Sequence, residues 1–121
     1  MNRPTHFEIP VDNPDRAEKF YSAVFGWTVQ RYDGAPSYYG MVSTGESQPG
    51  INGALFQRTP DSETTLTMET DSIEKSEAKI VAEGGSVVLG KTPIPHMGWF
   101  ATYKDTEGNK FGLFTNDPNA A

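Results

Sequence analysis

His6-Phe7-Glu8-Ile9-Pro10-Val11-Asp12-Asn13-Pro14-Asp15 opens the stretch that decides the fold. Its first six residues alternate polar and apolar side chains, the pattern of a half-buried strand. Asp12–Asp15 then breaks the strand and supplies helix-capping groups, with Pro14 suited to a first helical turn. From Arg16 onward, Ala17, Phe20, Tyr21, Val24 and Phe25 recur at three- and four-residue steps, one stripe of an amphipathic helix that Gly26 stops. Three strand-like runs follow, Trp27–Tyr32, Tyr38–Thr44 and Gly53–Arg58. Gly34-Ala35-Pro36 and the Gly45–Gly50 segment separate them as turns.

The same order then begins again. Thr65–Thr70 reads as a strand, Asp71-Ser72 as a cap, and Ile73–Ala82 as a helix ended by Gly84-Gly85. Strands follow at Ser86–Leu89, Trp99–Lys104 and Lys110–Thr115. Asp12 and Asp71 are 59 residues apart, as are Gly26 and Gly85, while Gly50–Gly108 and Phe56–Phe114 are 58 apart. An internal repeat of this length outranks any single motif. It predicts an α+β chain of two similar half-sheets, each backed by one helix.

Composition bounds the function. The 121 residues suit one domain of residues 1–121 in two units, about 4–58 and 64–116. Fourteen aromatics (7 Phe, 5 Tyr, 2 Trp) can fill a core or line a pocket. A net charge of −6 argues against nucleic acid or an anionic membrane as partner, because both need a positive field. No cysteine is present, so disulfides and thiolate metal sites are excluded. No apolar run is long enough to span a bilayer and no secretory leader is evident, which makes a cytoplasmic location the expectation. Phosphate-cradling glycine motifs and a nucleophile elbow are also absent. The ends, Met1–Arg3 and Asp117–Ala121, read as frayed.

The duplicated βαβββ order, with His6–Ala17, Phe20-Tyr21…Val24-Phe25-Gly26-Trp27 and Lys104–Leu113, resembles the vicinal oxygen chelate superfamily. That group includes glyoxalase I, fosfomycin- and bleomycin-resistance proteins and extradiol dioxygenases. The resemblance implies a mixed sheet curled around a cleft, helices on the outer face, and often a homodimer sharing its clefts. It also implies one divalent ion held by the first and last strands of each unit. On that pattern His6 matches a ligand position, whereas Thr65, Ala54 and Gly112 fill the other three. One donor of four survives, so no resident metal is expected. The alternative is an ion site rebuilt from His6, Glu8 and Glu69.

Side chains two apart on a strand share a face. His6, Glu8 and Pro10 therefore go together, as do Thr65, Thr67 and Glu69. Ala54 pairs in the same way with Phe56, and Gly112 with Phe114. His6 and Glu8, with Cβ atoms ~7 Å apart, could touch one ligand and move protons on a carbonyl compound. Burial beside apolar walls is expected to raise the Glu8 pKa. The opposing reading makes Glu8 and Glu69 solvated, or paired with Arg58 or Lys104. The Thr92–Phe100 segment, with Pro93 and Pro95, reads as a stiff loop carrying His96, Met97 and Trp99 to the next strand. Tyr38-Tyr39 holds the corresponding place in the first unit.

The functional expectation is a small-molecule-binding relative of the superfamily, with an organic ligand in an aromatic cleft. Its candidate binding residues are Tyr39, Phe56, Thr65, Thr67, Glu69, Trp99 and Phe114. The alternative is a glyoxalase-like lyase or isomerase, or a dioxygenase-related enzyme, with His6 and Glu8 as catalytic residues.

Overall fold

The computed structural model describes all of residues 1–121. They cluster into two compact units, Thr5–Thr64 and Thr65–Ala121 with Met1–Pro4.

The first unit carries β1 (Pro4–Val11), α1 (Pro14–Phe25), β2 (Thr28–Arg31), β3 (Tyr39–Ser43) and β4 (Asn52–Gln57). Its strands lie in the order β2-β3-β4-β1, with β1 parallel to β4 and the others antiparallel. Asn13 caps α1 by accepting the Arg16 N–H through Oδ1 at 3.0 Å, and Pro14 occupies the first turn. Gly26 ends the helix at φ 73°, a left-handed conformation that glycine adopts without steric cost. Against α1 the sheet buries Val11, Val42 and Leu55, ringed by Phe7, Ile9, Tyr21 and Trp27. Trp27 stacks on Tyr21 with centroids 4.8 Å apart and meets Phe7 at 5.4 Å.

The second unit repeats the plan with β5 (Thr65–Glu69), α2 (Ile73–Ala82), β6 (Ser86–Ile94), β7 (Gly98–Lys104) and β8 (Lys110–Asn116). Its order is β5-β8-β7-β6, with β5 parallel to β8. Ser72 caps α2 where Asn13 caps α1. The core is Ile73, Ala101, Tyr103 and Leu113. Tyr103 is fully buried, and its hydroxyl donates to Glu77 Oε1 at 2.9 Å, which offsets the cost of desolvating the phenol. Completely burying a side chain such as Leu55 contributes roughly 1.5–3 kcal/mol.

The duplication extends to strand register. Glu8 faces Ala54 and Pro10 faces Phe56 across β1 and β4; Thr67 faces Gly112 and Glu69 faces Phe114 across β5 and β8. Offsets of 59 in one strand and 58 in the other reproduce the repeat read from the sequence.

Two sequence readings are corrected here. β6 does not stop at Leu89: it continues to Ile94, and Pro93 pairs with Trp99, so the expected loop is mostly a hairpin. Pro93 fits because β6 is an edge strand, where a missing N–H breaks no ladder. Only Pro95–Met97 turns the chain, with His96 exposed at φ 66°. Nor are the ends frayed. Asn2 N–H donates to the Glu69 carbonyl and His96 N–H to that of Ala120, whose own residue is 1% exposed. No helix is long and apolar enough to cross a membrane.

Candidate functional site

Strand alternation builds the site in the first unit. Phe7, Ile9 and Val11 point toward α1, so His6 and Glu8 project from the opposite face of β1. β3 does the same with adjacent tyrosines. Tyr38 packs with the core and donates to Glu18 on α1 at 2.6 Å, while Tyr39 donates to Glu8 Oε2 at 2.6 Å.

Because Tyr39 gives its only proton to Glu8, its oxygen accepts from His6. His6 Nε2 lies 3.3 Å from that oxygen and must carry the hydrogen. Nε2 also stands 3.6 Å from Glu8 Oε2, a charge contact longer than a hydrogen bond. The His6 and Glu8 side chains keep 34% and 32% of their exposure, so the chain of three groups is open to solvent and ligand.

The Glu8 pKa corrects an expectation. Burial does push it up, as anticipated. The polar contact from His6, the hydrogen bond from Tyr39 and the field of a charged imidazole together outweigh burial and hold it below 4.5. Glu8 is thus an ionised acceptor and a weak base. Burial and the neighbouring Glu8 charge raise the Tyr39 phenol well above the ordinary range, so it remains a donor. Arg58 does not pair with Glu8; its guanidinium binds Asp12 Oδ1 at 3.0 Å and the Pro10 carbonyl.

Beside this chain lies an open pocket of about 460 Å³, within the range of roughly 300–1,000 Å³ common for small-molecule sites. His6 lines it together with Thr28, Gln30, Met41, Ser43 and Asn52. Sequence reasoning missed these β2 and β3 residues, although alternation from the core positions Val29 and Val42 marks them as the opposite face.

In the second unit Thr65, Thr67, Glu69, Gly112 and Phe114 share one face, by register across β5 and β8. A Cβ on Gly112 would meet Thr67 Oγ1 at 2.9 Å, so the glycine leaves room for that hydroxyl. Glu69 Oε1 accepts from Asn116 Nδ2 at 2.8 Å. Trp99 is not on this face. Register aligns it with Thr115, beside the core of Ala101 and Tyr103, and its indole N–H donates to Asp117 at 3.0 Å. Phe100, the Cα partner of Phe114, takes the place assigned to Trp99. An error of one residue in strand facing exchanges the two, since the period is two.

The donor set does not fit a divalent ion. No three His, Asp, Glu or Cys side chains converge anywhere in the chain. Opposite Glu8 stands the wholly buried methyl group of Ala54. A stable site needs three or four converging donors.

A model of the glyoxalase-like domain matches residues 6–114, nearly the whole chain. The chain belongs to the glyoxalase-like domain family. This glyoxalase-like domain is thereby also a vicinal oxygen chelate protein, as its repeat led us to expect. It is 29% identical over 114 residues to CFP32 of Mycobacterium bovis, a protein provisionally named a glyoxylase. That alignment takes in 92% of this chain but 43% of CFP32, so the domain spans less than half of that relative. A glyoxylase-like domain-containing protein of Didymella fabae is 28% identical, with 89% of each chain covered. Among solved structures, a hypothetical protein of Bacillus halodurans superimposes with a TM-score of 0.75 at 14% identity, covering 98% of this chain and 97% of its own. Streptomyces coelicolor methylmalonyl-CoA epimerase follows at 0.69 and 17% identity, with 100% and 99% covered. At these identities the two structures establish the shared fold.

Proposed function

We propose that this glyoxalase-like domain binds a small organic ligand on the face of its first unit turned away from α1, without a resident metal. The hydrogen-bonded chain His6–Tyr39–Glu8 at the edge of the pocket carries this reading. Three polar groups of different character stand in line there, with Met41 and Phe56 on the same strand face for an apolar ligand body. By the same register argument, Thr65, Thr67, Glu69 and Phe114 are proposed as ligand-contacting residues of the second unit's own corresponding face, with Phe100 replacing Trp99. A homodimer in the cytoplasm completes the reading. Screening organic compounds by calorimetry against the native chain and Tyr39→Phe tests it. Binding that weakens in Tyr39→Phe is expected, and binding indifferent to both Tyr39→Phe and Glu8→Gln would overturn the assignment.

A second reading is a glyoxalase-like lyase or isomerase. Its support is the position of His6, which lines the pocket and also hydrogen-bonds Tyr39, a path along which a proton taken from a ligand could move. Here His6 and Glu8 are the catalytic residues. Turnover of a carbonyl substrate should vanish in His6→Ala/Glu8→Ala while the fold survives. Retained turnover in that double variant removes this reading.

A further inference from the structure

Glu8 differs from the other carboxylates around it in what holds it. In the first unit Arg31 is engaged by Asp15 and Glu18, and Arg58 by Asp12. Arg16 and Lys19 are exposed on α1, which covers the opposite face of the sheet. No lysine or arginine of the unit therefore pairs with Glu8; its neighbours are a phenol and an imidazole. Along β1–β4 the residues that share its face contain neither lysine nor arginine, so Glu8 is the one carboxylate there and the His6 imidazole its one basic neighbour. Its Oε2 accepts from Tyr39, and no side-chain polar atom of the chain is both buried and unpaired, which leaves Oε1 able to take a donor. Around it the face offers the Tyr39 ring, the thioether of the exposed Met41 and Phe56, the cross-strand partner of Tyr39.

We propose that the ligand of this site is a small organic cation, an amine or amidine on an apolar or aromatic body, whose charged group binds Glu8 Oε1 beside the Tyr39 ring. The inference rests on the binding reading above and adds the ligand class to it. A carboxylate held in place by a neutral donor presents its charge to a guest without having to move. Aromatic faces add attraction for a cation that they do not add for its neutral analogue. The depressed Glu8 pKa agrees with this, because the acceptor stays charged across the neutral range.

Benzamidine and benzamide, nearly equal in shape and different in charge, are the probes. Each is titrated into the native chain and followed by amide NMR shifts at His6, Glu8, Tyr39, Met41 and Phe56. Benzamidine should saturate these shifts at least about tenfold more tightly than benzamide, and Glu8→Gln should abolish the difference. Glu107→Gln removes one charge from an exposed turn of the second unit and should change nothing, which separates the site from general attraction to an acidic chain. Equal affinity for the two probes overturns the ligand class while the binding reading stands. An equal loss in Glu107→Gln and Glu8→Gln overturns it as well. If neither probe shifts these residues the ligand class is likewise overturned, and the wider compound screen decides the binding reading by itself.

Discussion

Tyr38 and Tyr39, neighbours in β3, send their hydroxyls to glutamates on opposite sides of one sheet. Tyr38 reaches Glu18 and Tyr39 reaches Glu8, each at 2.6 Å. The first bond ties the sheet to its helix and the second organises the candidate site. Two residues of the same type thus hold different duties purely through strand parity.

Tyr39→Phe tests that division. The ring stays, but both hydrogen bonds of the hydroxyl go, the one to the one-third-exposed Glu8 carboxylate and the longer one from His6, so stability should fall by about 1 kcal/mol. Chemical denaturation measures the loss. An NMR titration should show the Glu8 pKa rising, because a donor to its charged form is gone.

Acid should act through Glu8. Its folded pKa lies below 4.5, so its contribution is complete above the unfolded value and is lost as pH falls through the folded one. Melting temperature followed from pH 6 downward should therefore fall more steeply in the native chain than in Glu8→Gln. Parallel curves would assign the acid sensitivity to other carboxylates.

Gly98 begins β7 against the Thr115 carbonyl and the Phe114 ring, and a Cβ would run into both. Backbone cannot yield as a flexible side chain can. Gly98→Ala should cost on the order of 2–4 kcal/mol, read as a clear fall in melting temperature. Gly90→Ala, where a Cβ meets nothing within 4 Å, is the control.

Trp99→Phe should weaken the fold locally without changing ligand affinity. It removes the indole donation to Asp117, whose backbone N–H also binds the Met97 carbonyl beside the docked C-terminal residues. Amide exchange should quicken at Asp117–Ala120. Phe100→Ala is the contrasting variant, expected to change ligand binding on the face that Phe100 shares with Phe114.

Much of this architecture was legible because the chain states it twice. The cap at Asp12-Asn13 and its counterpart at Asp71-Ser72 fixed where each helix starts, and the shared 58- and 59-residue offsets aligned the strands around them. His6 and Glu8 could be placed on one face because Phe7 and Ile9 show the alternation plainly. Trp99 could not, since Gly98-Trp99-Phe100 offers two aromatics in succession and only strand pairing decides which meets the core. Pro93 and Pro95 read as loop because a proline signals a break, and nothing local reveals that β6 lies at an edge. The Glu8 pKa turned on its contact with His6 and on the hydrogen bond from Tyr39, a partner 31 residues away that no periodicity indicates.

The two tryptophans divide evenly between the halves of the duplication. Trp27 sits between Tyr21 and Phe7 in the first, and Trp99 lies under the Lys91 ammonium at 4.6 Å in the second. The chain therefore contains its own pair of fluorescent reporters. With Trp27→Phe the emission follows only the second half, and with Trp99→Phe only the first. Overlaid melting curves from the two variants would show directly whether the halves of this duplicated chain come apart in one step or in sequence.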